Sequence, residues 1–157
     1  MPDNFNQMPK GRFSLRSELR RMIGAMNDGI GIAASGLAAA SLWLTATASN
    51  IANMNDAAPA PDAPPGAPAA YQPLTVSQTP LPDGGVSASL QPRLPASTLA
   101  YDPSAPFANL QGMVTMPNVD LATEFTQLIQ ARESFRANLA VFKTSSGMFQ
   151  TLLDMTA

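Results

Sequence analysis

The most regular pattern in this 157-residue chain lies in residues 119–155, which read VDLATEFTQLIQARESFRANLAVFKTSSGMFQTLLDM. Large apolar side chains recur there every seven residues, and a second row follows four residues behind the first. The first row holds Leu121, Leu128, Phe135, Phe142 and Phe149, and the second holds Phe125, Leu139 and Leu153, interrupted by Arg132 and Ser146. A seven-residue apolar repeat forms one stripe on a helix and is typical of coiled coils. The pattern predicts a helix about 55 Å long.

The start of this helix is marked by boundary and charged residues. Pro117 and Asn118 supply a helix boundary, with Asn118 as the expected N-cap. Asp120 and Glu124 lie four residues apart on one face, and we interpret them as first-turn acids that complement the helix dipole. Further along, we expect an exposed charged patch or an inter-subunit contact at Arg132, Glu133 and Arg136.

A shorter version of the same pattern lies near the other end of the chain. Its apolar row is Ile30, Leu37, Leu44 and Ile51, and the positions four residues further on are Ala34, Ser41 and Ala48. This spacing predicts a helix about 39 Å long from Asp28 to Asn53, with Asp28 as N-cap or as a favourable charge at its positive end. We assign residues 26–53 to an N-terminal axial helix and residues 119–157 to a C-terminal one.

The C-terminal helix is too long to bury its stripe in a chain with so few other large apolar residues. Two arrangements would cover the stripe: a coiled coil with other chains, or a hairpin of the two helices within one chain. The two can coexist. The expected fold class is therefore mainly α, with two long terminal helices forming a coiled-coil-like axial core and a small Pro-rich, β-hairpin insert between them.

Proline separates the two predicted helices from a different middle segment, residues 54–118. Thirteen of the 15 prolines lie between Pro59 and Pro117, which excludes a long helix there. Residues 57–70 are almost wholly Ala, Pro, Gly and Asp, and we interpret them as a linker without packing side chains. Residues 71–90 alternate apolar and polar around the turn sequence PDGG and predict a β-hairpin, followed by a loop over residues 94–106.

The first 25 residues are basic and differ from the rest. They hold five of the nine basic side chains: Lys10, Arg12, Arg16, Arg20 and Arg21. We expect a separate extension that is disordered or reflects a mis-assigned start, with Met22 or Met26 as the alternative first residue. A cleaved signal peptide ending near Ala48 also fits, although the long basic region, Asp28 and the seven-residue pattern argue against it. The apolar stretch is too rich in small residues for us to expect a membrane span.

Composition excludes several functional classes. The chain has no His and no Cys, which removes imidazole catalysis, Cys/His zinc sites and disulfides. Its net charge is −2, and only Arg93 interrupts a long run without Lys or Arg, so no nucleic-acid-binding face is expected. Gly84 and Gly85 lack the strand-to-helix context of a phosphate loop. We expect no catalytic residue, metal, cofactor or small-molecule substrate.

Several motifs stand out beyond the helical pattern. Near the C-terminus they are Gly112-Met113-Val114-Thr115-Met116-Pro117-Asn118-Val119-Asp120, then Glu124, Leu128, Ala131-Arg132, Phe135, Ala137-Asn138 and Met148, with Tyr101-Asp102-Pro103 and Pro106 upstream. Near the N-terminus they are Ala34-Ser35-Gly36-Leu37 and Ser49-Asn50-Ile51-Ala52-Asn53. Together these motifs resemble the flagellar basal-body rod proteins, and most closely those of the proximal rod.

The resemblance implies that both terminal helices pack along the axis of a helical assembly, with the insert outside. It also implies a subunit that is exported through the flagellar type III apparatus without signal cleavage. Such a subunit assembles with its own copies and with other basal-body proteins into the rod, which crosses the periplasm and transmits torque. The expected assembly interface is Ile30, Leu37, Leu44, Asn50, Ile51, Asn53, Leu121, Phe125, Leu128, Arg132, Phe135, Asn138, Leu139, Phe142 and Phe149. The alternative is a signal-cleaved, secreted Pro/Ala-rich binding protein whose C-terminal helix is a coiled-coil partner.

Overall fold

The computed structural model describes residues 15–62 and 66–156 and consists of two long helices with a β region between them. In chain order the elements are α1 (Leu15–Ala52), β1 (Ala58–Pro59), β2 (Leu74–Pro80), β3 (Val86–Pro92), β4 (Ser97–Tyr101), β5 (Met113–Pro117) and α2 (Leu121–Thr156). The two terminal helices are confirmed. The middle contains more strand than the single predicted hairpin, so the chain is not purely helical.

The two helices pack against each other within the chain and run antiparallel. Gly29 of α1 lies beside Ser145 of α2, Gly36 lies beside Asn138, and Asn50 donates a hydrogen bond to Glu124. A contact residue further along α1 pairs with one that lies the same number of residues earlier in α2. The contacts recur at multiples of seven residues, which keeps one face of each helix on the other.

Helix α1 begins at Leu15, so the predicted boundary at residue 26 is wrong for the described part of the chain. Asp28 lies inside α1 with its side chain exposed and does not cap the helix. Residues 15–25 extend the helix because they are mostly Leu, Arg, Glu, Met and Ala, which favour helix. Residues 1–14 lie outside the described residues, and so does the predicted disorder or mis-assigned start there.

By length and composition, the part of α1 from Arg20 to Ala52 could cross a membrane. Helices in protein cores and signal sequences near an N-terminus have the same properties. In this chain 22% of the apolar window is buried.

Helix α2 is capped by Asp120. Its carboxylate accepts a hydrogen bond from the backbone N–H of Thr123 at 2.9 Å and another from the Thr123 hydroxyl. These two bonds, the hydroxyl bond foremost, lower the pKa of Asp120 below its ordinary value of 3.8. The prediction of Asn118 as N-cap is wrong, because the Asn118 amide donates instead to the carbonyl of Pro95.

The predicted β-hairpin is confirmed. Strands β2 and β3 pair antiparallel from Leu74 opposite Pro92 to Pro80 opposite Val86. Gly84 and Gly85 both have φ above +80° in the connecting turn, a region that favours glycine. The hairpin packs along α1.

A second, three-stranded sheet was not predicted. Its order is β1-β5-β4, with both pairs antiparallel. The interpretation of residues 57–70 as a linker without packing is wrong at its start, because Ala58 and Ala60 are buried and Ala58 pairs with Thr115. The predicted loop over residues 94–106 contains β4. Strand β1 is only two residues long and consists of Ala and Pro, so its sequence carries little strand signal. Strand β4 does contain the strand-favouring Thr98 and Tyr101, but Pro95 and Pro103 lie on either side of it.

Candidate assembly interface

Small and polar residues make close contacts between α1 and α2. The close pairs named above join glycine, serine, asparagine and glutamate positions. The residues buried around them are mainly alanines: Ala33, Ala39, Ala40, Ala46 and Ala131. Small side chains let two helices approach closely but bury little apolar area per residue.

The large apolar rows predicted from the sequence therefore lie beside the contact line. On α1 the row that begins at Ile30 is half-buried along its length, and on α2 the same holds for Leu128, Phe135, Leu139, Phe142 and Phe149. Leu121, Phe125 and Arg132 are exposed, with Phe125 showing 49% of its surface. The structure thus leaves an apolar strip along α2 that α1 covers only in part.

Three polar residues of the predicted interface make contacts within the chain. Asn50 is 1% exposed, and its side chain makes its hydrogen bonds inside the chain. Asn53 donates to the carbonyl of Ser49 one turn back. Asn138 fits against the backbone of Gly36, where a Cβ would lie 2.6 Å from the Asn138 Cγ.

A buried ion pair joins the start of α2 to the end of the hairpin. Glu124 is 0% exposed, and one carboxylate oxygen accepts a hydrogen bond from the guanidinium of Arg93 at 2.6 Å. The other oxygen accepts one from the Asn50 amide at 3.3 Å. A buried carboxylate needs such partners, because an unpaired one loses its hydration without compensation.

Asn50 extends this cluster to the start of the hairpin. Its amide donates to the carbonyl of Leu74 at 2.9 Å, and its oxygen accepts from the Leu74 N–H at 2.7 Å. The Tyr71 hydroxyl lies within hydrogen-bond distance of both the Asn50 oxygen (3.1 Å) and the Ser49 hydroxyl (2.9 Å). Asn50, Arg93 and Glu124 with Tyr71 and Ser49 form what we call the polar latch.

The tip of the hairpin is held at a second point on α1. Ser35 accepts a hydrogen bond from the backbone N–H of Val86 at 3.1 Å, and Gly85 packs so closely on Ser35 that a Cβ would overlap its hydroxyl. The helix rises about 22 Å between Ser35 and Asn50. A seven-residue strand spans about 23 Å. The hairpin therefore fits between its two attachment points.

Sequence reasoning placed Glu124 correctly in the first turn of α2 but missed its partner Arg93. One signal in the sequence could have indicated the pair. Arg93 is the only basic residue between Arg21 and Arg132, and an isolated charge of this kind indicates an acidic partner. The charged patch on α2 is confirmed as an exposed pair in which Arg136 lies 3.0 Å from Glu133. Such exposed pairs add little stability.

The described residues contain no group of three His, Cys, Asp or Glu that could hold a metal ion. One described side chain is buried without a hydrogen-bond partner, the hydroxyl of Thr47. Thr47 lies on the face of α1 that contacts α2, seven residues after Ala40.

Comparison with known proteins finds relatives among the flagellar basal-body rod proteins. A family model described as the C-terminal region of flagellar basal body rod FlgEFG proteins matches residues 110–155. The flagellar basal-body rod protein FlgC of Salmonella typhimurium is 39% identical over 128 residues, which cover 79% of this chain and 92% of that protein. FlgC of Escherichia coli O157:H7 is 37% identical over 129 residues with the same coverage. FlgC of Bacillus subtilis is 37% identical over 57 residues, covering 36% of this chain and 38% of the relative.

Proposed function

The chain belongs to the FlgC family of flagellar basal-body rod proteins, and on this premise we propose that it builds the rod by self-assembly through its two terminal helices. Its partners are further copies of the chain and other basal-body proteins, and the product is the torque-transmitting shaft that crosses the periplasm. The family is one of structural proteins, so no catalytic step is assigned.

One observation supports assembly through the helices: the apolar strip along α2 that α1 covers only in part. At the start of the strip, Leu121 and Phe125 are exposed, and Leu128, two turns after Leu121, is half-buried. Burial of an exposed apolar side chain on association is favourable by about 25 cal/mol per Å². Neighbouring subunits that cover this strip would supply the burial that the single chain lacks.

Two exposed residues on opposite sides of α2 allow a direct test. Phe125 is 49% exposed and lies on the strip, whereas Val141 is 50% exposed and lies about 160° around the helix. We expect Phe125→Ser to lower incorporation of the chain into isolated basal bodies, measured by quantitative peptide mass spectrometry, and to reduce swimming. Val141→Ser should leave both unchanged. Equal effects of the two substitutions would contradict assembly through this strip.

We further propose that the chain passes through the flagellar export apparatus with α1 intact. Cleavage near Ala48 would remove the part of α1 that packs on α2 and would separate Ser35 from the hairpin. The secreted-protein alternative requires that loss. Peptide mass spectrometry of the chain digested from isolated basal bodies tests this, and we expect peptides covering Ile30 to Ile51. A mature chain that begins near Ser49 would instead favour the secreted binding protein.

A further inference from the structure

A cleft separates the hairpin from α2. Within the described residues, β2 and α2 both pack on α1 but not on each other. Two cavities of about 330 and 210 Å³ lie in this cleft and share Gln78. The larger one is lined by Trp43, Thr75, Val76, Gln78, Gln127 and Gln130. The smaller one continues along α1 as far as Ile32.

The wall that β2 contributes to the cleft is a free strand edge. The carbonyl of Pro73 accepts a hydrogen bond of 2.7 Å from the first residue after β3, which fixes the phase of the antiparallel ladder. Leu74, Val76 and Gln78 therefore point their backbone N–H and C=O groups away from β3. Asn50 pairs with both groups of Leu74. In the part of the chain that the structure describes, those of Val76 and Gln78 have no partner.

The opposite wall of the cleft is polar and uncharged. It includes Gln127 and Gln130 of α2, and Trp43 of α1 contributes to the floor. Among the described residues, no charged side chain lines either cavity. Gln130 lies about 140° around α2 from Phe125, so the cleft is on a different side of the helix from the apolar strip. These walls fit an uncharged extended segment that adds a strand to β2.

We propose that residues 66–70 of a second copy of the chain occupy this cleft. The segment reads Gly-Ala-Pro-Ala-Ala, lies outside the strands, and is exposed over residues 66–69. Five extended residues span about 16 Å, and the cleft runs about 16 Å along α1 from Ile32 to Trp43. The inference rests on the proposed assembly, because it requires copies that lie side by side.

The spacing of backbone groups in the segment matches that of the β2 edge. Ala67 and Ala69 are two residues apart, as are Val76 and Gln78, so the N–H and C=O groups of the two alanines can pair with those of the edge. Pro68 has no N–H, and at this register its position points toward α2, where no ladder bond is lost. The glutamine amides on that side can donate to its carbonyl.

In its own chain the segment lies outside the cleft. The Tyr71 hydroxyl at its end is hydrogen-bonded to the Asn50 side chain, and the residues before it are exposed. The cleft of one copy therefore receives the segment of another. Such a contact joins two different surfaces, so it repeats in one direction along a row of copies.

Disulfide trapping tests the proposal, because the chain has no cysteine of its own. The variant Ala67→Cys/Gln130→Cys places one thiol on the segment and one on the wall of the cleft. Oxidation of isolated basal bodies should link copies of this variant into a ladder of disulfide-bonded oligomers on a non-reducing gel. The matched control, Ala67→Cys/Gln111→Cys, replaces an exposed glutamine outside the cleft and should give no ladder.

A third substitution in the Ala67→Cys/Gln130→Cys chain tests the added strand itself. Ala69→Pro removes one N–H that would pair with β2, at an exposed position where the fold of the chain does not depend on it. We expect the yield of linked oligomers to fall about fivefold, the effect of losing one hydrogen bond. Pro68→Ala in the same chain should leave the yield unchanged.

Peptide mass spectrometry of the same basal bodies separates this proposal from the proposed assembly. If the chain is present but forms no ladder, the cleft proposal is wrong and assembly through the helices stands. Equal ladders from the Gln130→Cys and Gln111→Cys variants would also overturn it, as would a disulfide from position 130 to a different basal-body protein. Absence of the chain from basal bodies would overturn both proposals.

Discussion

The two ends of the helix pair are built on opposite principles. At the end that carries the polar latch, Glu124, Arg93 and Asn50 satisfy one another inside the chain. At the other end, where the start of α1 lies beside the end of α2, Met22 and Met148 face a groove with much of their surface exposed. Directional polar contacts fix one register between α1, the hairpin and α2, whereas apolar contacts accept many partners. The latched end therefore defines the fold, and the open end is available for contacts outside it.

Breaking the latch should have the largest effect on stability. Arg93→Met leaves the Glu124 carboxylate buried beside an apolar side chain, and we expect the free energy of unfolding to fall by about 3 kcal/mol. Urea denaturation followed by far-UV circular dichroism measures it. The double variant Arg93→Met/Glu124→Leu removes both charges and should recover most of the loss. A double variant as unstable as the single one would show that the ion pair is not the cause.

The close approach of the helices midway between the two ends is the next point to test. Gly36→Ala places a Cβ against the Asn138 amide, and we expect a loss of about 2 kcal/mol from overpacking. Gly31 is the matched control, because a Cβ there meets nothing within 4 Å. Gly31→Ala should stabilise the chain by up to about 1 kcal/mol through helix propensity. If both substitutions stabilise, the helices do not need glycine at this contact.

The buried hydroxyl of Thr47 offers a way to strengthen the latched end. Thr47→Val keeps the shape of the side chain and removes a buried polar group without a partner. We expect the melting temperature to rise, corresponding to about 1 kcal/mol. Thr45→Val is the control, since the Thr45 hydroxyl is exposed and bonds to the carbonyl of Ser41. A loss of stability in Thr47→Val would indicate that the hydroxyl has a partner in solution.

The smallest effect concerns the cap at the start of α2. Hydrogen bonds from Thr123 lower the pKa of Asp120 in the folded chain, so its charged form contributes stability above the ordinary value of 3.8. That contribution is lost as the pH falls through the lowered pKa. Asn caps helices as well as Asp but does not titrate. Thermal melts at a series of pH values measure this effect. Between neutral pH and about pH 3, the Asp120→Asn variant should lose less stability than the unmodified chain. If the stability of both proteins falls in parallel with pH, Asp120 does not have this role.

The sequence predicted the elements better than their contacts. The two helices followed from apolar side chains every seven residues, and the hairpin from alternation around residues 82–85. Their close contacts at Gly36, Asn50 and Glu124 could not be found from apolar periodicity, because none of these residues belongs to the large apolar rows. Those rows indicated a different feature, the strip that remains open on α2.

The missed parts depend on partners that are distant in the chain. Strand β1 pairs with β5 more than fifty residues later, and its Ala and Pro side chains show no strand pattern of their own. The ion pair joins Arg93 and Glu124, which are 31 residues apart in the chain with strands β4 and β5 between them in sequence. Such pairs become visible only when both partners are placed in three dimensions.

The pairing of α1 with α2 also has a consequence for the order of folding. The ribosome makes α1 before the whole β region and makes its helical partner last. Until then α1 can pack only on the hairpin, and Asn50 lacks the carboxylate of Glu124. Contacts of such large sequence separation slow folding even in a helix-rich chain. The helix pair therefore cannot be completed until the C-terminal segment has been made.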